Sequence, residues 1–405
     1  MKIAVMGYGT VGSGVVEVID THSDIIPKRS MGNTLEVAHI LDLRDFPGDK
    51  HESVMTKDFN DILNDPEVRI VAETMGGVNP AFDFTIQLLK AGKSVVTSNK
   101  ELVAQKGPEL LRAAEENGVN YLIEASVGGG IPIIRPLNQC LSANNIEGIA
   151  GILNGTTNFI LTMMIEKGMS FDEALRLAQD NGYAEKDPTA DVEGHDACRK
   201  VCILASLAFR KHVYPSQVET EGISKITLED VSYVHSAGAV IKLLGQIKYI
   251  SDSEIAAFVS PAIVYNGSQL ASVKDVFNAV LVRGDAVGDV CFYGPGAGKL
   301  PTASAVVADI IDCAKHIERR KDFGWGPGDE DYVIDYKSRI KMPFYVRAKA
   351  GTAQINSVFS EVRFLSRNGQ PSDEVAFITD EMTENELREK LGGIDVINII
   401  KVTNY

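Results

Sequence analysis

The chain has 405 residues, of which 44% are hydrophobic, and a formal net charge of −15 at pH 7. That composition excludes a disordered chain and supplies the cores of two or three domains. Acidity without any Lys/Arg-rich run argues against nucleic acid and against an anionic membrane surface as partners.

Lys2 to Met6 reads as a short buried strand with no apolar leader before it, and no apolar run reaches the length that spans a bilayer. A cytoplasmic protein is the expectation. The next loop, Gly7-Tyr8-Gly9-Thr10-Val11-Gly12, leads into an apolar helix from Val15 to Ile19. This is G-x-G-x-x-G between strand and helix: Gly7 permits the tight turn, Gly9 admits a pyrophosphate to the backbone, and Gly12 lets helix pack on strand. N–H groups of the helix start then face the anion. A second strand, Leu35 to Leu43, runs into Asp42-Leu43-Arg44-Asp45, where the adenine ribose of a dinucleotide would lie. An acid there suits the 2′-hydroxyl of NAD and an arginine the 2′-phosphate of NADP, so both cofactors stay open. Strands at Val68 to Thr74 and Ser94 to Thr97, with a helix from Pro80 to Ala91 between them, continue the alternation that builds a doubly wound parallel sheet. The latter strand ends in Ser98-Asn99-Lys100-Glu101, at the carboxyl edge where such sheets hold ligands. Lys100 there either reaches cofactor and substrate or is a surface lysine at a helix start.

Tyr121 to Pro132 is a strand ending in the turn Gly128-Gly129-Gly130. The turn exposes carbonyls and Glu124 adds a carboxylate, oxygen ligands of the kind a hard cation takes, although the pattern alone reads as no more than a turn. Asn145 to Leu153 is a strand leading into Asn154-Gly155-Thr156-Thr157-Asn158, whose N–H groups and hydroxyls either hold a carboxylate or cap the next helix. Gly182 to Lys200 then concentrates Glu185, Asp187, Asp191, Glu193 and Asp196 ahead of Lys200, before the apolar run Val201 to Phe209. Asp187-Pro188 reads as a helix start, and Asp196 and Lys200, four apart, share a face. Because a helix apolar all round is buried, the acids and the lysine are predicted at the mouth of a dry interior. A desolvated lysine there becomes a proton donor near neutral pH; a solvated, salt-bridged helix start is the plainer reading. The five cysteines (Cys140, Cys198, Cys202, Cys291, Cys313) form no C-x-x-C pair and read as reduced core thiols.

Strands at Ala239 to Tyr249, Glu254 to Val259 and Ser272 to Arg283 suggest an antiparallel-rich sheet, a substrate floor and a subunit interface. Tyr293 to Gly298 is a glycine-rich turn before an apolar helix from Pro301 to Ile317, and 321–341 reads as a linker. Met342 to Tyr405 then gives strand, helix, two strands, helix, strand, the β-α-β-β-α-β order of a ferredoxin-like unit.

Three stretches together resemble the homoserine dehydrogenases. G-Y-A-E-K-D-P-T-A-D-V-E-G-H-D-A-C-R-K, from Gly182, holds every fixed position of that family's G-Y-x-E-x-D-P-x-x-D-x-x-G-x-D-x-x-x-K. Thr97 to Ala104 is similar to its T-x-N-K-x-L-x-A, and Gly151 to Leu161 to its G-I-L-N-G-T-T-N-x-I-L. The resemblance covers essentially the whole chain. It implies reversible NAD(P)-dependent hydride transfer between L-homoserine and L-aspartate 4-semialdehyde, in threonine, methionine and isoleucine biosynthesis. By it Lys200 is the proton donor with Lys100 beside it, and Glu185, Asp191 and Asp196 hold the substrate. Gly7, Gly9, Thr10, Val11, Gly12, Arg44, Lys100, Gly182, Glu185 and Gly298 line the NAD or NADP site. Sodium is implied at Glu124 and the backbone carbonyls of Val127, Gly129 and Ile131.

The fold implied is α/β plus α+β. A Rossmann-type doubly wound sheet over 1–130 is completed by a helix at about 301–318, a mixed-sheet catalytic and dimerisation domain covers 131–300, and a ferredoxin-like ACT domain covers 342–405. A homodimer or homotetramer follows from the same resemblance. Another amino acid dehydrogenase on this fold and a non-catalytic dinucleotide or amino acid sensor are the rival readings; the presence of both Lys100 and Lys200 speaks against the sensor. In one place the chain departs from the family. The loop before the first ACT helix, Lys349-Ala350-Gly351-Thr352-Ala353, lacks the usual acid, and an effector ammonium would go unpaired there, so weak or absent threonine inhibition is expected.

Overall fold

Six short strands rich in Val, Ile and Ala open the fold: β1 (Lys2–Met6), β2 (Glu36–Leu41), β3 (Met55–Thr56), β4 (Val68–Glu73), β5 (Ser94–Thr97) and β6 (Tyr121–Leu122). In a computed structural model describing residues 1–405, β1, β4 and β5 are buried along almost their whole length, as parallel strands covered on both faces must be. They pair in parallel in the order β3-β2-β1-β4-β5-β6. The order reverses between β1 and β4, which opens a crevice at the carboxyl ends of those strands. The helix Thr10–Thr21 leaves β1 through the glycine loop, and the late helix Lys299–Lys315 packs against it. Gly14 permits that contact, since a Cβ there would sit 2.9 Å from the Lys299 carbonyl oxygen. Met1–Ala143, Cys202–Pro215 and Gly294–Asp329 form this first compact unit.

The second unit, Asn144–Val201, Ser216–Tyr293 and Glu330–Tyr405, is built on one continuous mixed sheet. Its strands are β7 (Ile146–Ile152), β8 (Glu219–Thr220), β9 (Ala239–Ser251), β10 (Glu254–Tyr265), β11 (Phe277–Gly284), β12 (Gly288–Pro295), β13 (Phe344–Lys349), β14 (Val362–Leu365), β15 (Glu374–Thr379) and β16 (Asp395–Thr403). They run β12-β11-β7-β9-β10-β16-β13-β15-β14, with β8 beside β10. The expected β-α-β-β-α-β order is present, with helices Thr352–Val358 and Glu384–Lys390. It is not a detached body: β16 pairs in parallel with β10 from Ala262↔Lys401 to Val264↔Thr403, so its strands extend the preceding sheet. On β13 the pleat sends Phe344, Val346 and Ala348 into a core with Ile355, Phe359 and Leu387. The alternate residues face the helix Leu228–Ser236, where Tyr345 Oη and Arg347 Nη1 lie 3.0 and 3.3 Å from the buried Asp230 carboxylate. Both faces of this strand are therefore covered.

Other expectations shift. The segment 321–341 is no solvated linker, because Phe323, Trp325, Tyr332, Tyr336 and Ile340 are buried; glycine and proline around them mask an aromatic anchor pattern. Trp325 Nε1 donates to His212 Nδ1 at 3.1 Å, and Tyr336 stacks on Phe258 with centroids 4.2 Å apart. The strand predicted from Ser272 begins only at Phe277, after a 3-10 turn at Gln269–Ser272 capped by Ser268. The exposed strand β12 was not predicted at all. No helix is long and apolar enough to cross a membrane.

Candidate active site

In the first unit the glycine loop is tightly specified. Gly7 has φ +90°, and a Cβ on it would press at 3.0 Å on Met75 and on the Thr74 carbonyl oxygen; one on Gly12 would overlap the Gly7 carbonyl oxygen. Gly9 is different: a Cβ there meets nothing within 4 Å. That open space lies at the N-terminus of the Thr10–Thr21 helix, whose first N–H groups, at Thr10 and Val11, belong to the helix end that favours an anion. These residues fit a dinucleotide pyrophosphate. At the end of β2, Asp42 accepts from the Tyr8 N–H at 2.8 Å and is clasped by Arg44, Nε and Nη2 lying 3.0 and 2.9 Å from its two oxygens. The guanidinium holds the Asp42 carboxyl well below the usual carboxylate range. Gly298, with φ +124°, caps the Lys299–Lys315 helix in the same unit.

Lys100 is the first residue of the helix Lys100–Glu116, which Asn99 caps by accepting from the Leu102 N–H at 3.0 Å. Glu124 is 2% exposed, and its carboxylate takes three backbone N–H groups, of Ile133 and Ile134 on Oε1 (2.8 and 2.9 Å) and Arg135 on Oε2 (2.9 Å). The Glu124 carboxylate thus caps the helical turn starting at Ile134. The carbonyls of Val127, Gly129 and Ile131 stand otherwise. All three residues are buried, and no hydrogen bond reaches those oxygens. A buried carbonyl without a donor is uncommon, and a set of them fits a hard cation.

The second unit holds the acid and lysine run. Asp187 Oδ1 accepts from the Thr189 N–H at 3.1 Å and starts the short helix Thr189–Val192; Gly194, with φ +83°, breaks the chain before the helix His195–Phe209, so the single helix predicted here is two. A Cβ at Gly194 would crowd Thr220 at 2.9 Å, so the break also lets β8 approach. Lys200 is 8% exposed, and Val201 to Leu207 are buried behind it, as the apolar run predicted. Its Nζ donates to the Leu153 carbonyl at 2.6 Å and to Asp196 Oδ2 at 2.7 Å. Asn154 joins the acids: its Nδ2 donates to Asp191 Oδ1 at 2.7 Å and to Asp196 Oδ2 at 3.0 Å, while its Oδ1 caps the helix Gly155–Lys167 through the Thr157 N–H. Thus Asp191, Asp196 and Lys200 are gathered, and Asn154 is a helix cap that also clamps acids. Sequence reasoning had not singled out that clamp; the L-N-G-T-T turn was its signal. Glu185 and Gly182 lie exposed on the preceding turn, and no hydrogen bond or ion pair ties Glu185 to the cluster. A lysine, a counter-charge and a second acid at the rim of a dry core can exchange a proton with a bound hydroxyl and hold an ammonium.

Comparison with known proteins points the same way. A family model described as Homoserine dehydrogenase matches residues 132–311, and one described as Homoserine dehydrogenase, NAD binding domain, matches residues 7–124. The chain is 38% identical to the homoserine dehydrogenase of Bacillus subtilis, over 100% of this chain and 97% of that one. It is similar to the crystal structure of a homoserine dehydrogenase from Thiobacillus denitrificans, at 35% identity and TM-score 0.88, covering 100% of this chain and 98% of that one. A hyperthermophilic archaeal homoserine dehydrogenase mutant in complex with NADPH matches at 29% identity and TM-score 0.64, covering 77% of this chain and 97% of that one.

Proposed function

The chain belongs to the homoserine dehydrogenase family, an NAD(P)-binding oxidoreductase of amino acid biosynthesis, and on that premise we propose which of its residues carry the reaction. The observation that carries the proposal is the buried Lys200, held between the Leu153 carbonyl and Asp196. When bound, the nicotinamide supplies the hydride acceptor for C4 of L-homoserine, or the donor to the aldehyde of L-aspartate 4-semialdehyde. Lys200 removes the hydroxyl proton as its neutral amine in oxidation and returns it as the ammonium in reduction. Lys100 stabilises the negative charge that develops on the same oxygen. Asp191, Asp196 and Glu185 answer the substrate ammonium, and the Asn154 clamp keeps the first two oriented.

Gly7, Gly9, Thr10, Val11 and Gly12 hold the pyrophosphate, with Gly182, Glu185 and Gly298 completing the cofactor site. NADP is the preferred dinucleotide: Arg44 neutralises Asp42, so the acid that would accept from a ribose 2′-hydroxyl is occupied, and the exposed guanidinium suits a 2′-phosphate. Glu124 and the carbonyls of Val127, Gly129 and Ile131 hold a monovalent cation such as sodium, which fixes their loop. The molecule works in the cytoplasm as a homodimer or homotetramer. Purified protein assayed with homoserine and each dinucleotide tests the reading. Turnover that prefers NADP, and loses that preference in Arg44→Ala, is expected; equal turnover of homoserine and 4-hydroxybutyrate would remove the ammonium pairing.

A further inference from the structure

Glu73, the last residue of β4, is fully buried, and its hydrogen-bond partners are neutral groups. Burial pushes its carboxyl up from the usual range. Such a group is costly to keep in an interior unless its hydrogen bonds serve something. Here they tie together two loops at the carboxyl edge of the parallel sheet. Oε1 accepts from the Met75 N–H at 2.8 Å, and Oε2 accepts from the Thr97 hydroxyl at 2.6 Å. Thr97 Oγ1 accepts in turn from the Asn99 N–H at 2.9 Å. Asn99 Nδ2 then donates to the Gly77 carbonyl at 2.6 Å, which closes a ring back to the Met75-Gly76-Gly77 loop. Gly76 and Gly77 have φ +85° and +69°, a backbone that glycine adopts freely and that these bonds help fix. Lys100 is the residue that follows Asn99, at the first position of the helix Asn99 caps.

We propose that Glu73 is a positioning residue for the reaction: through Thr97 and Asn99 it fixes the turn that presents Lys100, and through Met75 it fixes the facing glycine loop of the dinucleotide crevice. This rests on the role given to Lys100 above. Both carboxylate oxygens act as acceptors, so a glutamine of the same shape must either set its NH2 against the Met75 N–H or donate it to Thr97 Oγ1, whose hydroxyl proton then loses its acceptor; either way the ring is weakened. The loosened turn leaves Lys100 chemically intact but misplaced, and misplacement of a catalytic group is read in kcat more than in binding.

The test compares Glu73→Gln, Thr97→Val and Thr97→Ser, each alone, and Glu73→Gln combined with Lys100→Ala, in the full-length protein. Glu73→Gln and Thr97→Val are expected to lower kcat about tenfold while the homoserine KM and the NADP Kd move less than about threefold. Thr97→Ser, which keeps the hydroxyl, retains kcat. In the Lys100→Ala background Glu73→Gln lowers kcat much less than in the parent, because the catalytic group it positions is gone and only the Met75 link is left to lose. An undiminished kcat in Glu73→Gln beside an impaired Lys100→Ala overturns the proposal alone, as does an equal fall in both backgrounds. Full activity of Lys100→Ala overturns the role of Lys100 itself. Should Glu73→Gln fail to fold, Thr97→Val against Thr97→Ser decides the same point, since only the hydroxyl link differs.

Discussion

Replacing Asp196 by asparagine removes one charge from a pair in which both members are more than nine-tenths buried. The Lys200 ammonium then keeps the Leu153 carbonyl at 2.6 Å but loses its counter-charge at 2.7 Å, and Asn154 Nδ2 faces an amide in place of a carboxylate. Breaking a buried pair by removing one partner costs about 3–5 kcal/mol, and the amide oxygen that remains as an acceptor puts this variant near 3 kcal/mol. For a unit of this size that lowers Tm by about 6–12 °C. Calorimetry of the apoenzyme reads it directly. The homoserine KM is expected to rise about tenfold or more as the ammonium loses a partner. A control separates charge from volume: Asp196→Leu combined with Lys200→Met leaves no orphaned charge and is expected to recover most of the lost stability while remaining inactive. A Tm within about 2 °C of the parent in Asp196→Asn would refute the reasoning, because it would mean the pair is solvated and worth no more than a surface contact.

Gly9→Ala should fold with unchanged Tm but bind dinucleotide at least about tenfold more weakly, since its Cβ enters the space assigned to the pyrophosphate, whereas Gly12→Ala should fail to fold; fluorescence titration with NADPH separates the two. His212 is fully buried with its pKa lowered to about 4 by desolvation, so the folded state binds fewer protons than the unfolded chain between pH 6.5 and 4, and stability falls by about 3 kcal/mol as pH drops through that window. Trp325, the single tryptophan, donates to His212 and reports the change; His212→Gln should flatten the slope, and an unchanged slope would assign it elsewhere. Gly245→Ala places a Cβ onto Val201 and Leu153, directly behind Lys200, and should cost about 1–3 kcal/mol along with kcat, measured by urea melts and assay. Threonine at millimolar concentration should leave activity unchanged. Deleting Met342 to Tyr405 should yield insoluble protein, visible in expression trials, because β10 would lose its partner β16.

What could be read from the chain was local. The turn from Gly7 to Gly12 is specified by residues within one loop, and the burial behind Lys200 by a run from Val201 to Phe209 in which Ser206 alone is polar, so both were legible. The pairing of β16 with β10 was not, because it joins residues far apart in sequence, and a strand that continues a sheet has the same alternation as one that ends it. Trp325 and Tyr336 were missed because glycine and proline around them read as linker, while burial depends on partners such as His212 and Phe258 elsewhere in the chain. The capping role of Glu124 went unseen because its N–H partners lie past a turn whose path no residue pattern disclosed, and Glu73 drew no notice as one acid closing an apolar strand. The clasp between Asp42 and Arg44 was equally out of reach, because the sequence shows both groups at the strand end without showing that they pair.

The central claim is that Lys200 carries the proton. Lys200→Ala, assayed at saturating homoserine and NADP with NADPH binding followed in parallel by fluorescence, tests it most directly. The expected result is a kcat lowered by about 10²-fold or more with the NADPH Kd nearly unchanged. A folded variant that keeps more than about a third of the parent kcat would contradict it.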